Sequence, residues 1–239
     1  MKTIRFKEPK YLGDPLNTVR IFNEKQVDEL IVLDIDATLY EREPDYDLIS
    51  LLAAECRMPL CYGGGIKTVE QIEKIVALGV EKVSIGSAAA CSPHLLKLAS
   101  ERVGSQSIVA VLDVKKSGIF GRYQVLTHNG TQKVGRTPID LAKEFASVGA
   151  GEILLNCIDR DGCLSGYDYE LIDSIRNNID LPMTVLGGAG SFQDFRSLIS
   201  RYGTIGAAAG SIFVFKGKYR AVLMQYPRPT EKDLLTCPS

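Results

Sequence analysis

The residues best suited to chemistry are aspartates and glycines at the ends of short apolar runs. Asp113 stands in VAVLDVKK, at the end of the run Ile108 to Val114. A carboxylate there is costly to bury without a partner, so a general acid or base role is the leading reading. A structural ion pair with Lys115 or Lys116 is the other. Asp34 and Asp36 (VLDID) and Asp159 and Asp161 (IDRDG) end similar runs. Asp34, Asp36 and Asp159 can equally cap loops or pair with Arg160. Cys61 and Cys157 have no apparent histidine partner to activate them and read as core. The two histidines, His94 and His128, sit near no cysteine or carboxylate cluster with ligand spacing, so no metal site is expected.

The glycines come in two similar settings, PLCYGGGIKTVEQI (Pro59 to Ile72) and PMTVLGGAGSFQDF (Pro182 to Phe195). Each is an apolar run, a glycine cluster and a helical pattern. Gly63 and Gly64 align with Gly187 and Gly188 at a separation of 124 residues, which also carries Gly79 to Gly203, Gly86 to Gly210 and Ser87 to Ser211. DELIVLDID matches GEILLNCID at a separation of 123. Such self-similarity implies two fused half-domains. Backbone N–H groups at a helix start attract anions. Each half offers such a turn with a Gly-Ser element, so two sites fit a substrate with a phosphate at each end. Tight strand-to-helix turns are the alternative use of the glycines.

Strands are expected at Leu30–Ile35, Leu60–Tyr62, Lys82–Ile85, Ile108–Val114, Ile153–Cys157, Met183–Leu186 and Ile205–Ala209. Helical periodicity marks Thr68–Leu78, Ser92–Val103 and Ile139–Val148. Thr68 with Gln71, and Ser191 with Asp194, have the spacing of helix N-caps. Apolar strands alternating with helices imply a parallel sheet. Alternating polarity around Asn129-Gly130 predicts a β-hairpin over Gly121–Gly135. The repeat leaves Ile108–Val114 without a partner, which would lie about 123 residues earlier, upstream of Met1. MKTIRFKEPK would then correspond to the hairpin region. The expectation is one α/β domain over residues 1–239, a (β/α)8 TIM-type barrel of two half-barrel repeats that lacks its first strand and has an open seam.

A chain of 239 residues with 45% hydrophobic content can bury a substantial core. A formal net charge of −1 argues against a nucleic-acid or membrane-surface partner. No apolar run is long enough to span a bilayer, and the N-terminus lacks a signal core. The six cysteines, among them Cys56, Cys91, Cys163 and Cys237, show no C-x-x-C spacing, which fits reduced thiols in the cytoplasm. No cofactor is expected.

GDP (Gly13–Pro15), DELIVLDI, YGGGI, EKVSIGSAA, VLDVK, GAGEILLNCIDRDGCLSGYD and GGAG together give a resemblance along almost the whole chain. The sequence resembles the cyclase (synthase) subunit of imidazole glycerol phosphate synthase, of the histidine pathway. The resemblance implies a lyase that pairs with an ammonia-producing glutaminase subunit in a heterodimer. Ammonia would travel through the barrel core to an open-chain ribulosyl aminoimidazole carboxamide nucleotide. Imidazole glycerol phosphate and an aminoimidazole carboxamide ribotide would result.

Carried over by position, Asp113 falls on the family's strand-five catalytic aspartate. Gly64 and Gly65 with Gly86 and Ser87 fall on one phosphate site, and Gly187 and Gly188 with Gly210 and Ser211 on the other. Asp161 and Gly162 fall on a substrate-contacting turn. Glu29, Lys82 and Glu152 fall on the charged ring where ammonia enters; read as plain residues, they are a solvated ion pair beside strand starts. The family's other catalytic aspartate and the arginine of the ring belong to strand one. Gly86 replaces the family's usual asparagine, Asn156 a threonine and Leu186 a serine. These departures resemble the paralogue branch of surface-polysaccharide clusters, which implies an ammonia-conducting partner of a sugar amidotransferase as the alternative. An inactive scaffold for a glutaminase is a third possibility.

Overall fold

The computed structural model describes residues 1–118 and 121–236. Cys237 lies outside the described residues. The strands in chain order are β1 (Lys2–Ile4), β2 (Lys7–Lys10), β3 (Leu30–Leu33), β4 (Leu60–Gly63), β5 (Lys82–Ile85), β6 (Ile108–Ser117), β7 (Arg122–Thr127), β8 (Gln132–Lys133), β9 (Glu152–Cys157), β10 (Met183–Leu186), β11 (Gly206–Ala207), β12 (Phe215–Lys216) and β13 (Ala221–Val222). The helices are α1 (Pro15–Glu24), α2 (Tyr46–Glu55), α3 (Val69–Ala77), α4 (Ser87–Cys91), α5 (His94–Val103), α6 (Pro138–Ser147), α7 (Tyr169–Arg176), α8 (Phe192–Tyr202), α9 (Ser211–Val214) and α10 (Pro229–Thr236).

Seven parallel strands form the central sheet in the order β11-β10-β9-β6-β5-β4-β3. The expected strands are all present, although β3 stops at Leu33 and β11 is only Gly206–Ala207. β3 and β11 end the order and do not pair with each other. The sheet curls strongly. Glu29, just before β3, and Glu152 in β9 lie four strands apart, roughly 19 Å in a flat sheet. Both reach the same ammonium of Lys82, at 3.0 and 2.9 Å. The protein has the TIM-type α/β fold anticipated from the alternation of strands and helices.

Strand alternation divides the side chains. Outward residues such as Leu60, Val83, Leu112 and Leu155 pack with Ile49, Ile72, Leu141 and Phe145 of the helices in the main core. Inward residues Cys61, Val109, Val111 and Leu154 form a second apolar cluster, joined by Ile31, Leu33 and Leu186.

The half-barrel repeat is visible in local geometry. Thr68 caps α3 and Ser191 caps α8, each in a reciprocal capping box with Gln71 and Asp194 respectively. Each cap satisfies otherwise unpaired N–H groups and contributes about 1 kcal/mol. In the sheet, Leu33 pairs with Gly63 and Asn156 with Leu186. Strands, caps and glycine turns therefore superpose at a separation of 123, so Gly64 matches Gly187 and Gly65 matches Gly188. The sequence alignment at 124 was one residue out at these turns. The extra residue enters later, between the caps Thr68 and Ser191, which are 123 apart, and Gly79 and Gly203, which are 124 apart.

Two hairpins lie over the strand ends. β1 and β2 pair antiparallel, as expected if MKTIRFKEPK corresponds to the hairpin region. The second excursion is larger than expected. β6 runs on to Ser117 and pairs with β7, which pairs in turn with β8 around the turn at His128 to Gly130. Each hairpin reaches the opposite half. Arg5 Nε donates to the Asp159 carbonyl at 2.9 Å, and Asn129 Nδ2 donates to Asp36 Oδ1 at 2.9 Å. Asp36 and Asp159 are themselves repeat equivalents. No helix among the described residues is long and apolar enough to cross a membrane.

Candidate active site

Asp113 projects from β6 onto the inner face, in line with Val109 and Val111. The register sets it beside Asn156 of β9, whose Nδ2 donates to Asp113 Oδ1 at 2.8 Å. Burial pushes the Asp113 carboxyl up to about 6 against the opposing effect of the Asn156 hydrogen bond, and the nearby Asp161 charge adds to the rise. A carboxyl poised there can both take and return a proton near neutral pH. The ion-pair alternative does not hold: Lys116 Nζ pairs with Glu170 at 2.8 Å, and the exposed Lys115 makes no ion pair with Asp113 among the described residues.

The other strand-end aspartates are occupied. Asp34 Oδ1 accepts from the Asp36 and Ala37 N–H groups, and its carboxylate pairs with Arg42. Asp159 Oδ2 accepts from the Lys116 N–H at 2.7 Å rather than meeting Arg160, which lies 3.7 Å from Asp168. Cys61 and Cys157 are core thiols, pushed by burial up to about 12 and about 11. Neither is a thiolate at neutral pH, so neither is a ready nucleophile.

The glycine turns have a steric reason. Gly64 has φ +125°, and a side-chain carbon there would lie 2.4 Å from the Asp34 carbonyl oxygen. Gly187 has φ +96°, with its virtual carbon 2.5 Å from the Cys157 carbonyl oxygen. Asp34 and Cys157 are also 123 residues apart. The close backbone approach is thus built twice.

In the second half, one small cleft brings together Asp161, Gly162, Gly187, Gly188, Gly210 and Ser211, with Leu186, Ala189 and Ala209 completing its lining. Ser211 is 5% exposed, and its Oγ has no hydrogen-bond partner among the described residues. Lys2 of β1 borders the cleft: its Nζ lies 2.6 Å from Asp161 Oδ1, and its Cε would lie 2.7 Å from a side-chain carbon on Gly210. The sequence reading did not single out Lys2. No spacing signal marks it, because its position depends on how the first hairpin folds over the other half. In the first half, Gly65, Gly86 and Ser87 follow the equivalent strands. Ser87 Oγ accepts from the His128 N–H at 3.2 Å, so the second hairpin's turn sits against that hydroxyl.

Glu29, Lys82 and Glu152 come together at the strand starts, opposite Asp113. Burial works against the Lys82 ammonium, but hydrogen bonds to Glu152 and Glu29 more than offset it, and its pKa is raised. Thr184 adds a hydrogen bond to Glu152 Oε1 at 2.5 Å, a fourth member absent from the sequence reading. With Lys82 and Glu152 only 26% and 15% exposed, the group is more than a solvated pair.

Comparison with known proteins agrees with this architecture. The chain is 54% identical over 97% of its length to "Putative imidazole glycerol phosphate synthase subunit hisF3" of Vibrio vulnificus, covering 89% of that protein. It is 52% identical over 98% of its length to "Putative imidazole glycerol phosphate synthase subunit HisF" of Leptospira borgpetersenii, covering 92% of it. It is 39% identical over 89% of its length to "Imidazole glycerol phosphate synthase subunit HisF" of Alkaliphilus metalliredigens, covering 84% of that chain. The profile of the histidine biosynthesis protein family matches residues 1–220, and the chain belongs to that family.

Proposed function

We propose that the protein is the cyclase subunit of an imidazole glycerol phosphate synthase, a lyase-type enzyme of histidine biosynthesis. The observation that carries this reading is the placement of two groups at opposite ends of one apolar interior. Glu29, Lys82 and Glu152 stand at the strand starts, and Asp113 stands at the strand ends. Glu152 and Asn156 are four residues apart on β9, about 13 Å along the strand. Between them lie Cys61, Val109, Val111 and Leu154. Such a lining suits neutral ammonia better than ammonium, whose charge would be costly to strip of water.

The substrate is an elongated nucleotide with a phosphate at each end. Gly65, Gly86 and Ser87 hold one phosphate, and Gly188, Gly210 and Ser211 hold the other, with Asp161 and Gly162 beside the second. The unpartnered Ser211 hydroxyl and the adjacent Lys2 ammonium supply a donor and a positive charge there. Asp113 then lies between the two turns. Attack of ammonia on the ribulosyl carbonyl carries a proton from nitrogen that must be removed, and the carbonyl oxygen needs one in return. Asp113 performs both transfers. A glutaminase subunit docks against the strand starts and supplies the ammonia.

Incubation with the glutaminase subunit and glutamine tests the pairing. Glutamine-dependent formation of imidazole glycerol phosphate, suppressed by substitutions at Lys82 or Glu152, is the expected result. An amidated sugar as the sole product, with Asp113 dispensable, would favour the ammonia-conducting alternative.

A further inference from the structure

Asn156 has a second half that the reaction described above leaves unused. The residue is 2% exposed and projects inward on β9, two positions beyond Leu154. Its Nδ2 holds Asp113 Oδ1 at 2.8 Å, while its Oδ1 is buried and has no hydrogen-bond partner among the described residues. That oxygen lies 3.3 Å from where a side-chain carbon on Gly187 would sit, so it faces the glycine turn. A buried acceptor without a donor is costly, and an apolar residue of the same shape would avoid the cost. The amide's orientation is fixed by its neighbour. An ionised carboxylate only accepts, so the NH₂ group faces Asp113 and the carbonyl faces away.

We propose that Asn156 is a two-sided positioning residue: its NH₂ group orients the Asp113 carboxylate while its carbonyl oxygen receives an N–H of the incoming ammonia. The proposal rests on the cyclase reading and deepens it. Neutral ammonia has three N–H donors and one lone pair. One donor spent on Asn156 Oδ1 leaves the lone pair free to turn toward the substrate carbonyl. Asp113, on the other side of the same amide, is then placed to take the proton released on attack. A proton taken on Asp113 Oδ2 leaves Oδ1 an acceptor for the same NH₂ group, so Asn156 keeps its orientation through the transfer.

Asn156→Leu removes both halves at similar volume, and Asn156→Ala serves the same purpose if leucine is not accommodated. Asn156→Thr restores a group that can donate to Asp113 and accept from ammonia at once. With ammonium salt as nitrogen source, Asn156→Leu is expected to raise KM for ammonia about 10-fold while leaving KM for the nucleotide unchanged. Loss of the donated hydrogen bond is expected to raise the Asp113 titration by about one unit, read by carboxyl 13C NMR without turnover. Asn156→Thr should recover both readouts. An unchanged ammonia KM, or a rise in nucleotide KM instead, would overturn the ammonia half. If the wild type shows no turnover, the cyclase reading fails, and the ammonia half with it. The Asp113 titration then still decides the positioning half: a shift in Asn156→Leu supports it, and no shift overturns it.

Discussion

Lys82 Nζ lies 2.9 Å from Glu152 Oε2, at the start of the strand whose fifth residue is Asn156. The contact ties β5 to β9 across the intervening β6 and closes the base of the barrel interior. Lys82→Met leaves Glu29 and Glu152 facing each other without their shared cation. A loss of about 1–3 kcal/mol is expected in denaturant unfolding, discounted from a fully buried pair because both carboxylates keep solvent contact. The coupled assay should suffer more than the assay with ammonium salt. Equal losses in both would place Lys82 in general stability rather than in ammonia entry.

The Asp113 carboxyl makes a second prediction, in which function and stability oppose each other. Its pKa is raised to about 6 by burial, so the folded protein holds the proton to a higher pH than the unfolded chain does. An unfolded aspartate titrates near 3.9. The folded state therefore loses stability as pH rises from about 4 through about 6 and regains it on acidification. Asp113→Asn should consequently be more stable than wild type at pH 7.5, by about 1–3 kcal/mol, with the difference vanishing below about pH 4. Thermal unfolding across this range tests it. A variant less stable than wild type at neutral pH would show that Asp113 is held by a favourable partner instead.

The repeat supplies a third. Gly187→Ala would force a side-chain carbon to within 2.5 Å of the Cys157 carbonyl oxygen at φ +96°. Backbone strain alone should cost about 1–3 kcal/mol. Gly64→Ala should behave alike, since its carbon meets the Asp34 carbonyl at 2.4 Å. Near-neutral effects at both positions would mean that the turns relax easily.

Much of this was legible in the chain because repeats and caps are local signals. Thr68 with Gln71, and Ser191 with Asp194, announce the starts of α3 and α8 by residue type and spacing alone. Asp113 stood out because charge in an apolar strand has a physical cost. What was not legible depends on long-range placement. Lys2 reaches Asp161 across 159 positions, and its role follows from a hairpin folding onto the other half. Thr184 joins the charged group through the pairing of β10 with β9, whose register places it beside Glu152. The one-residue misalignment of the glycines arose because Gly63-Gly64 and Gly64-Gly65 look identical as letters. Only strand register and cap position separate them.

The proposed phosphate sites give a fourth prediction. With the cleft at Gly188 and Ser211 bordered by Lys2, inorganic phosphate should bind there more tightly than at Gly65 and Ser87, where the turn at His128 sits against the Ser87 hydroxyl. Ser211→Ala should weaken binding at the first of these about 3- to 10-fold, the range of one hydrogen bond. Phosphate titration by 31P NMR with each serine variant checks the order. Equal weakening by Ser87→Ala would remove the asymmetry.

The most direct test of the account is an assay with the ribulosyl nucleotide and ammonium salt, without glutaminase, comparing wild type with Asp113→Asn. The account predicts turnover to imidazole glycerol phosphate by the wild type, rising with pH through about 6 as Asp113 ionises. It predicts a loss of about 10²–10⁴-fold in Asp113→Asn, the usual worth of a positioned acid–base group, with nucleotide binding retained. An inactive wild type that still binds the nucleotide, or an Asp113→Asn variant as fast as wild type, would contradict it.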